Sequence, residues 1–400
     1  MRFLLPYNTT LSTAASSFYS DFHFGIAEAA CELGHETLRF DIAHGAQASA
    51  TERDALYRSL VTNPCDTVID LCCWGLGLSR ITVWDGSSGG EPLFDSLDMD
   101  YVGLLLDQPW FQPLPGVRSA RLYVAVPDRN NLADIPLIYP ELQLRGMTFA
   151  PPAVRAANDR SQSWDKRDLD VLFIGNLQRA ALAARESWPN DCAALCEASV
   201  EKALAAPAES LYRIVLSAAT QLGLPIHGSV GTPTALTALR AVEHYLRARM
   251  RLDAIRAAAA SGATVHVVGV GWDSIELPGN VVCHSPTADY EGLFAMAGRA
   301  RICLDVSSYP GGANDRVFSY SLNRAVCLSN AAGYLADAYR ESGGVQFYSP
   351  AEPADLAGKI AGLLASPQRL REQAEAGRQV TLETQNWRIR LETILGCRKQ

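Results

Sequence analysis

The sequence predicts an α/β protein made of two Rossmann-like domains whose parallel sheets face each other across a cleft. Three observations carry this. Strand-like apolar runs alternate with helical patterns, and they do so in two successive series. Several of the runs are continuously apolar rather than alternating, as strands covered on both faces are. One polar stretch without any strand-like run separates the two series.

The first domain is expected over residues 1–152. Its strand candidates are residues 2–6, 36–42, 67–73, 102–107, 121–127 and 147–150, with a helical pattern at 22–33. Gly86-Ser87-Ser88-Gly89-Gly90 reads as a loop tip. Residues 153–166, polar and carrying Asn158, Ser161 and Ser163, read as a linker. The second domain is expected over 167–380, with strands at 170–175, 264–269, 280–285, 300–306, 325–330 and 345–349. Helical patterns cover 290–297, 354–365 and 367–384. Residues 178–260 are rich in Ala and Leu and form a helical insertion, broken near Pro189, Pro207 and residues 228–233. The last segment, 381–400, is amphipathic, with Trp387 as a packing anchor.

Composition narrows the function classes. The chain has 400 residues, 48% apolar and 20% charged, so two cores can form and disorder is excluded as a description of the whole. Acidic residues number 43 against 35 basic ones, a net charge of −8. That argues against a nucleic-acid binder, which needs a broad basic face, but leaves room for a local cationic pocket. No run approaches the roughly 20 apolar residues of a membrane helix. The opening Met1-Arg2-Phe3-Leu4-Leu5-Pro6 is not a signal peptide, so the expected compartment is the cytoplasm. The ten cysteines include no CxxC pair. Most, such as Cys72, Cys73, Cys283, Cys303 and Cys327, fall in strand-like runs and read as small core hydrophobes.

Cofactor fingerprints are weak. Gly75-Leu76-Gly77 and Gly269-Val270-Gly271 follow strands but lack the third glycine of a dinucleotide turn, which disfavours a nicotinamide enzyme. No GxxxxGK[ST] or HExxH run occurs. Asp98-Met99-Asp100 and Asp168-Leu169-Asp170 precede strands and read as turn acids rather than metal ligands. No metal site and no resident cofactor are expected.

The informative stretch is Ser307-Ser308-Tyr309-Pro310-Gly311-Gly312-Ala313-Asn314-Asp315-Arg316-Val317-Phe318, which follows a strand and opens a helix. Gly311 and Gly312 permit close backbone approach. Asn314 or Asp315 can cap the helix. The first helical N–H groups and Arg316 then form an anion pocket. Other loops at carboxyl ends of strands converge on it: Gly175-Asn176 with Arg179, Gly269-Val270-Gly271-Trp272, and His284-Ser285 before the helix that opens near Asp289-Tyr290.

These stretches resemble the C-terminal domain of GT-B glycosyltransferases, specifically the spore-maturation CgeB-like group. The matching runs are residues 167–176, 268–272, Asp289-Tyr290-Glu291-Gly292-Leu293-Phe294, 301–306, and Asn314-Asp315-Arg316-Val317-Phe318 through Leu328-Ser329-Asn330. Weaker similarity covers Leu33-Gly34-His35-Glu36 and Leu106-Asp107-Gln108-Pro109 in the first half. The resemblance implies a GT-B fold with its last helix crossing back to the N-terminal domain. It also implies a nucleotide-sugar donor in the C-terminal domain, contacted by Gly175, Asn176, Arg179, Gly271, Trp272, His284, Ser285, Tyr290, Gly311, Gly312, Asn314, Asp315, Arg316, Phe318 and Ser319. Helix N-termini and Arg316, rather than a metal, would hold the diphosphate. The acceptor, a glycan, lipid carrier, protein or metabolite, would sit against the N-terminal domain. Where the family has a glutamate for the donor ribose, this chain has Ser319.

Asp107, at the end of a strand, and Asp21 and His23, in the first helix, are the candidate bases for the acceptor hydroxyl. Trp84, Trp110, Phe111, Phe18 and Tyr19 are candidates for stacking an acceptor, with core packing as the plainer role; Trp110, Phe111 and Leu114 equally suit an interface. Arg247, Arg249, Arg251 and Arg256 read as a solvated helix face. The alternatives to a transferase are a sugar-nucleotide epimerase-like enzyme on the same fold, a nicotinamide oxidoreductase, and a non-catalytic scaffold that has lost its donor site.

Overall fold

A computed structural model describes residues 1–8, 13–42, 49–73, 82–83, 91–112, 114, 119–188, 192–224, 233–286, 289–331 and 333–398. The Gly75-Leu76-Gly77 triplet, Trp84, the 86–90 loop and Pro189 lie outside the described residues. The chain divides into two units, Met1–Arg155 with Trp387–Gln400, and Ala156–Asn386. No helix among the described residues is long and apolar enough to cross a membrane.

The first unit contains strands β1 (Arg2–Asn8), β2 (Glu36–Ile42), β3 (Thr67–Leu71), β6 (Asp100–Leu104), β7 (Leu122–Val126) and β8 (Gly146–Phe149) in one parallel sheet of order β2-β1-β3-β6-β7-β8. A two-stranded antiparallel pair, β4 (Thr82–Val83) and β5 (Glu91–Pro92), was not legible in the sequence, its strands being only two residues long. The helices are α1 (Thr13–Glu32), α2 (Ala50–Thr62), α3 (Leu93–Ser96), α4 (Asn130–Ile138) and, from the end of the chain, α14 (Trp387–Cys397). Strands β3, β6 and β7 are buried at every position, the accessibility their unbroken apolar runs anticipate.

The second unit contains β9 (Leu169–Ile174), β10 (Val265–Val268), β11 (Val281–His284), β12 (Ala300–Asp305), β13 (Val326–Ser329) and β14 (Val345–Phe347), all parallel in the order β11-β10-β9-β12-β13-β14. Its helices are α5 (Arg179–Ala183), α6 (Ala193–Ala205), α7 (Leu211–Gln221), α8 (Pro233–Ala259), α9 (Tyr290–Arg299), α10 (Asp315–Leu322), α11 (Gly333–Tyr339), α12 (Pro353–Leu364) and α13 (Pro367–Thr384). The stretch 178–260 supplies α5 to α8, with Pro207 between α6 and α7 and Pro233 opening α8. In this sheet the strand order reverses between β9 and β12. Ligands of open parallel sheets bind beyond the carboxyl ends of the strands at such a reversal.

The expected linker 153–166 contains the division between the two units, which falls between Arg155 and Ala156. Ala153 and Val154 are buried in the first. In the second, Asn158 is buried, and the Arg160 N–H donates to Asn323 Oδ1 at 2.6 Å. Polar composition here reflects a laced loop whose backbone groups find partners. Cys283 is exposed on the edge strand β11, unlike the buried Cys72, Cys73, Cys303 and Cys327; all ten cysteines are free thiols.

Helix α14 is fixed to the first unit by shape and charge. Trp387 is 3% exposed and packs edge-on against Phe22, its ring centroid 5.1 Å away. It lies over Gly25, where a Cβ would fall 2.1 Å from the indole Cδ1. Arg390 Nε donates to the Pro151 carbonyl at 2.8 Å, and Arg398 reaches Asp100 at 2.5 Å. Asp100 also faces Arg121 and Arg145, and Asp168 pairs with Arg299, so both acid triplets are ion-paired where their strands begin. Because the indole has nowhere to retreat, Gly25→Ala should destabilise the protein by about 1–3 kcal/mol, and Trp387→Ala by about 3–5 kcal/mol. Denaturant titration of both variants checks this, and an unshifted midpoint for Gly25→Ala would show that the indole is not locked.

Candidate functional site

The candidate donor site forms where the loops after β9, β10 and β12 meet. The backbones of the β9 and β10 loops are in direct contact. Gly269 has φ +150°, and a Cβ there would lie 2.4 Å from the Gly175 carbonyl oxygen. Gly271 has φ +95°, and its Cβ would lie 2.2 Å from the Leu177 oxygen. Only glycine meets both demands. The Trp272 indole N–H donates to the Gly175 oxygen at 2.7 Å, and Asn176 Oδ1 accepts from the Val270 N–H at 2.9 Å. Gly175 and Asn176 are thereby set as a rigid pair, with Trp272 buried beneath them.

Asn314 is the N-cap of α10, its Oδ1 accepting from the Arg316 N–H at 2.9 Å. Its Nδ2 donates to the buried Asp305 at 2.6 Å, so the end of β12 and the start of α10 hold each other. Arg316 then folds against the β9 loop. Its Nη1 donates to the Ile174 oxygen at 3.1 Å and lies 3.2 Å from where a Gly175 Cβ would be. Glycine at 175 makes room first for the Phe173 ring, 2.9 Å from that Cβ position, and then for the guanidinium. Tyr290, opening α9, donates its hydroxyl to Asp315 at 2.6 Å, and burial raises the Asp315 carboxyl above the usual range. The loop after β12 is braced by the Ser307 N–H, which donates to Asn330 Oδ1 at 2.6 Å, and it turns at Gly311-Gly312, where the Gly312 N–H donates to the Tyr309 oxygen at 3.1 Å.

The structure thus brings Gly175, Asn176, Gly271, Trp272, Tyr290, Asn314, Asp315 and Arg316 into one neighbourhood. The other residues are placed differently. Phe318 is fully buried. Ser319 is 5% exposed and its hydroxyl donates to the Asp315 carbonyl at 3.0 Å, one turn back along its own helix. Arg179 is exposed and donates to Ser274 Oγ at 2.7 Å. His284 Nε2 is taken by His266 Nδ1 at 2.9 Å, and Ser285 is exposed.

Two residues were missed. Arg247 and Arg251 were expected on a solvated face, but only Arg249 and Arg256 lie there. Arg251 is 8% exposed, and its Nη1 donates to the Asn176 oxygen at 2.6 Å. Arg247 pairs with the buried Glu243 and reaches Ser308 Oγ at 3.3 Å. The i, i+4 spacing of these arginines was the available signal.

In the first unit Asp107 is half-buried just past β6, close enough to Cys72 to raise its thiol pKa. Asp21 is held by Arg155 Nη1 at 2.8 Å. His23 is 6% exposed, both ring nitrogens lack a hydrogen-bond partner among the described residues, and its ring lies 5.2 Å from that of Tyr7. Burial, then Arg39, lower its pKa to about 4. Trp110 and Leu114 are buried, so neither is available to an acceptor or an interface, while Phe18, Tyr19 and Phe111 are half-buried.

Comparison with known proteins agrees with this architecture. Residues 247–396 match the family described as Glycosyl transferase-like. No curated protein matches the chain in sequence. Among solved structures, the sucrose-phosphate synthase of Thermosynechococcus elongatus is 11% identical with TM-score 0.54, over 100% of this chain and 98% of that one. Anabaena HepE, solved with UDP and glucose, is 9% identical with TM-score 0.51, over 100% and 99%. An α-glucosyltransferase solved with UDP and a 13-mer DNA is 8% identical with TM-score 0.58, over 100% and 99%. The fold is GT-B, as the sequence predicts.

The His23 placement has a pH consequence. The folded state keeps the ring neutral down to about pH 4, whereas the unfolded chain protonates near 6.5. Stability from this residue is complete above pH 6.5 and falls as pH drops toward 4, by up to about 3 kcal/mol. His23→Phe should flatten that part of the stability–pH curve. Parallel curves for variant and wild type would show that His23 is not the group responsible.

Proposed function

We propose that the chain is a glycosyltransferase that moves a hexosyl or amino-sugar group from a nucleotide-sugar donor to a hydroxyl or other nucleophile of an acceptor. The observation that carries this is Arg316, fixed by the Asn314 cap at the opening of α10 and pressed against Gly175 where the strand order of the second sheet reverses. The Glycosyl transferase-like match over residues 247–396 includes the Asn314-Asp315-Arg316 opening of α10. Placement in the CgeB-like group rests on Asn314-Asp315-Arg316-Val317-Phe318.

The donor diphosphate meets the Arg316 guanidinium and the first N–H groups of α10. These neutralise the charge that grows on the leaving diphosphate, so transfer proceeds without a metal. UDP in two structures of the same fold makes a nucleoside diphosphate the natural ligand class. Asp107 takes the proton of the acceptor nucleophile, because Asp21 is spent on Arg155 and His23 is too weakly basic. One neighbour was solved with DNA, but the net charge of −8 favours a glycan, lipid carrier, protein or metabolite as acceptor, met in the cytoplasm.

A second reading, a scaffold without donor binding, is favoured by Ser319. Its hydroxyl is buried and bonded within its own helix, so it does not replace the ribose-binding glutamate that the resemblance implies. Thermal shift with UDP, GDP, dTDP, ADP and CMP, with and without EDTA, separates the two. A nucleotide at 100 times its Kd stabilises by about 2.7 kcal/mol, raising Tm by a few degrees. The transferase reading expects a shift with one base, insensitive to EDTA and abolished in Arg316→Ala; no shift with any nucleotide selects the scaffold. Asp107→Asn should lower transfer at least about 100-fold while leaving the nucleotide shift intact, and near-wild-type transfer would remove Asp107 as the base.

A further inference from the structure

Arg251 sits in α8, within the helical insertion, yet its side chain runs beneath the Gly175-Asn176 loop. It is 8% exposed. Among the described residues it makes one hydrogen bond, from Nη1 to the Asn176 oxygen. Its Nε is buried and has no partner among the described residues. Nε and Nη2 form one edge of the guanidinium fork, the edge that grips two oxygens of a phosphate or carboxylate. No carboxylate forms an ion pair with it among the described residues, although Asp305 lies near enough to favour its charge.

Its neighbours sharpen the problem. Arg316 and Arg247 are the charged groups that act on it most strongly, and both are cations. Arg247 has Glu243; among the described residues Arg316 bonds the Ile174 carbonyl and the Asn314 amide oxygen, with Asp305 and Asp315 near enough to favour its charge. Arg316 is also only half-buried, so the guanidinium left uncompensated is that of Arg251, buried beside two other cations, which is unfavourable unless an anion joins it.

We infer that Arg251 is a second cation of the donor site, joining Arg316 on the same phosphate chain and selecting ligands that carry a diphosphate over monophosphates and uncharged nucleosides. This rests on the donor site proposed above. The helical insertion thereby supplies a ligand residue to the site rather than only covering the sheet. The Nε edge of Arg251 receives phosphate oxygens, and the repulsion between the two arginines is relieved when a ligand with two or more negative charges binds.

The test uses the full chain with Arg251→Met and Arg251→Lys, titrated calorimetrically with UDP, UMP, uridine and inorganic pyrophosphate, with GDP, ADP and dTDP as further diphosphates. Arg251→Met should weaken the preferred diphosphate and pyrophosphate at least tenfold. It should change nucleoside binding less than twofold and leave the Tm of the ligand-free protein equal or higher. Arg251→Lys, which keeps the charge but not the fork, should fall between. The slope of affinity against salt should be shallower in Arg251→Met. Wild-type affinity for diphosphate in Arg251→Met, with wild-type binding present, overturns this inference and leaves the donor site standing. A lower ligand-free Tm with equal losses for nucleoside and diphosphate also overturns it, assigning Arg251 to bracing Asn176. No diphosphate binding by the wild type overturns the donor site and this inference with it.

Discussion

Everything at the candidate site depends on the close packing of one backbone against another. The β10 loop approaches the β9 loop so nearly that a Cβ at Gly269 or Gly271 would stand well inside van der Waals contact with a carbonyl oxygen, at 2.4 and 2.2 Å. Both glycines take φ values that side chains resist, +150° and +95°. The contact fixes the Gly175 oxygen for the Trp272 indole and the Asn176 oxygen for Arg251. A third glycine, Gly175, then leaves space for Arg316. Three glycines at strand ends therefore determine where two guanidiniums stand, and rigidity of the loops becomes precision in the placement of charge.

The buried arginines of the second unit show how structural and binding roles differ. Arg167 is 2% exposed and its pKa is lowered to about 10 by burial, yet each of its three nitrogens donates to a main-chain oxygen. Its Nη1 reaches the Ala300 and Arg324 oxygens at 2.5 and 2.8 Å, Nη2 reaches Asn323 at 3.0 Å, and Trp164 stacks 4.5 Å from its carbon. Such an arginine is a brace, binding β9, β12 and the turn after α10 into one body. Arg251 is nearly as buried, and burial together with Arg316 and Arg247 lowers its pKa to about 9, but its Nε has no partner among the described residues. Burial alone does not separate the two; the accounting of donors does.

The sequence made the sheets legible because strands buried on both faces leave continuous apolar runs, and all twelve strands of the two parallel sheets coincide with runs such as 67–73 and 300–306. The Asn314-Asp315-Arg316 opening of α10 was legible for a different reason: capping chemistry is local. What stayed hidden depends on distance along the chain. Arg251 lies 75 residues from the oxygen it binds, and in isolation its spacing with Arg247 fits a solvated face equally well. The buried role of Asn158 was hidden likewise, since its partner Asn323 stands 165 residues away. His284 at a strand end satisfied the local criterion, but its partner on the neighbouring strand, His266, is what it meets.

The first unit concentrates its strain where its own sheet reverses, between β1 and β3. Cys72 and Cys73, directly after β3, both have positive φ, 57° and 55°, in a region that costs non-glycine residues of order 1–3 kcal/mol each. The surroundings enforce it. The Cys72 N–H bonds the Leu104 oxygen at 2.8 Å, and Gly103 lacks the Cβ that would stand 2.4 Å from the Cys73 sulfur. The thiols themselves are inert, because burial pushes Cys72 up to about 12 and Cys73 well above the usual range. The strained turn therefore contributes shape rather than a nucleophile. It brings the Cys72 sulfur to 3.4 Å from the Tyr19 hydroxyl and close to Asp107.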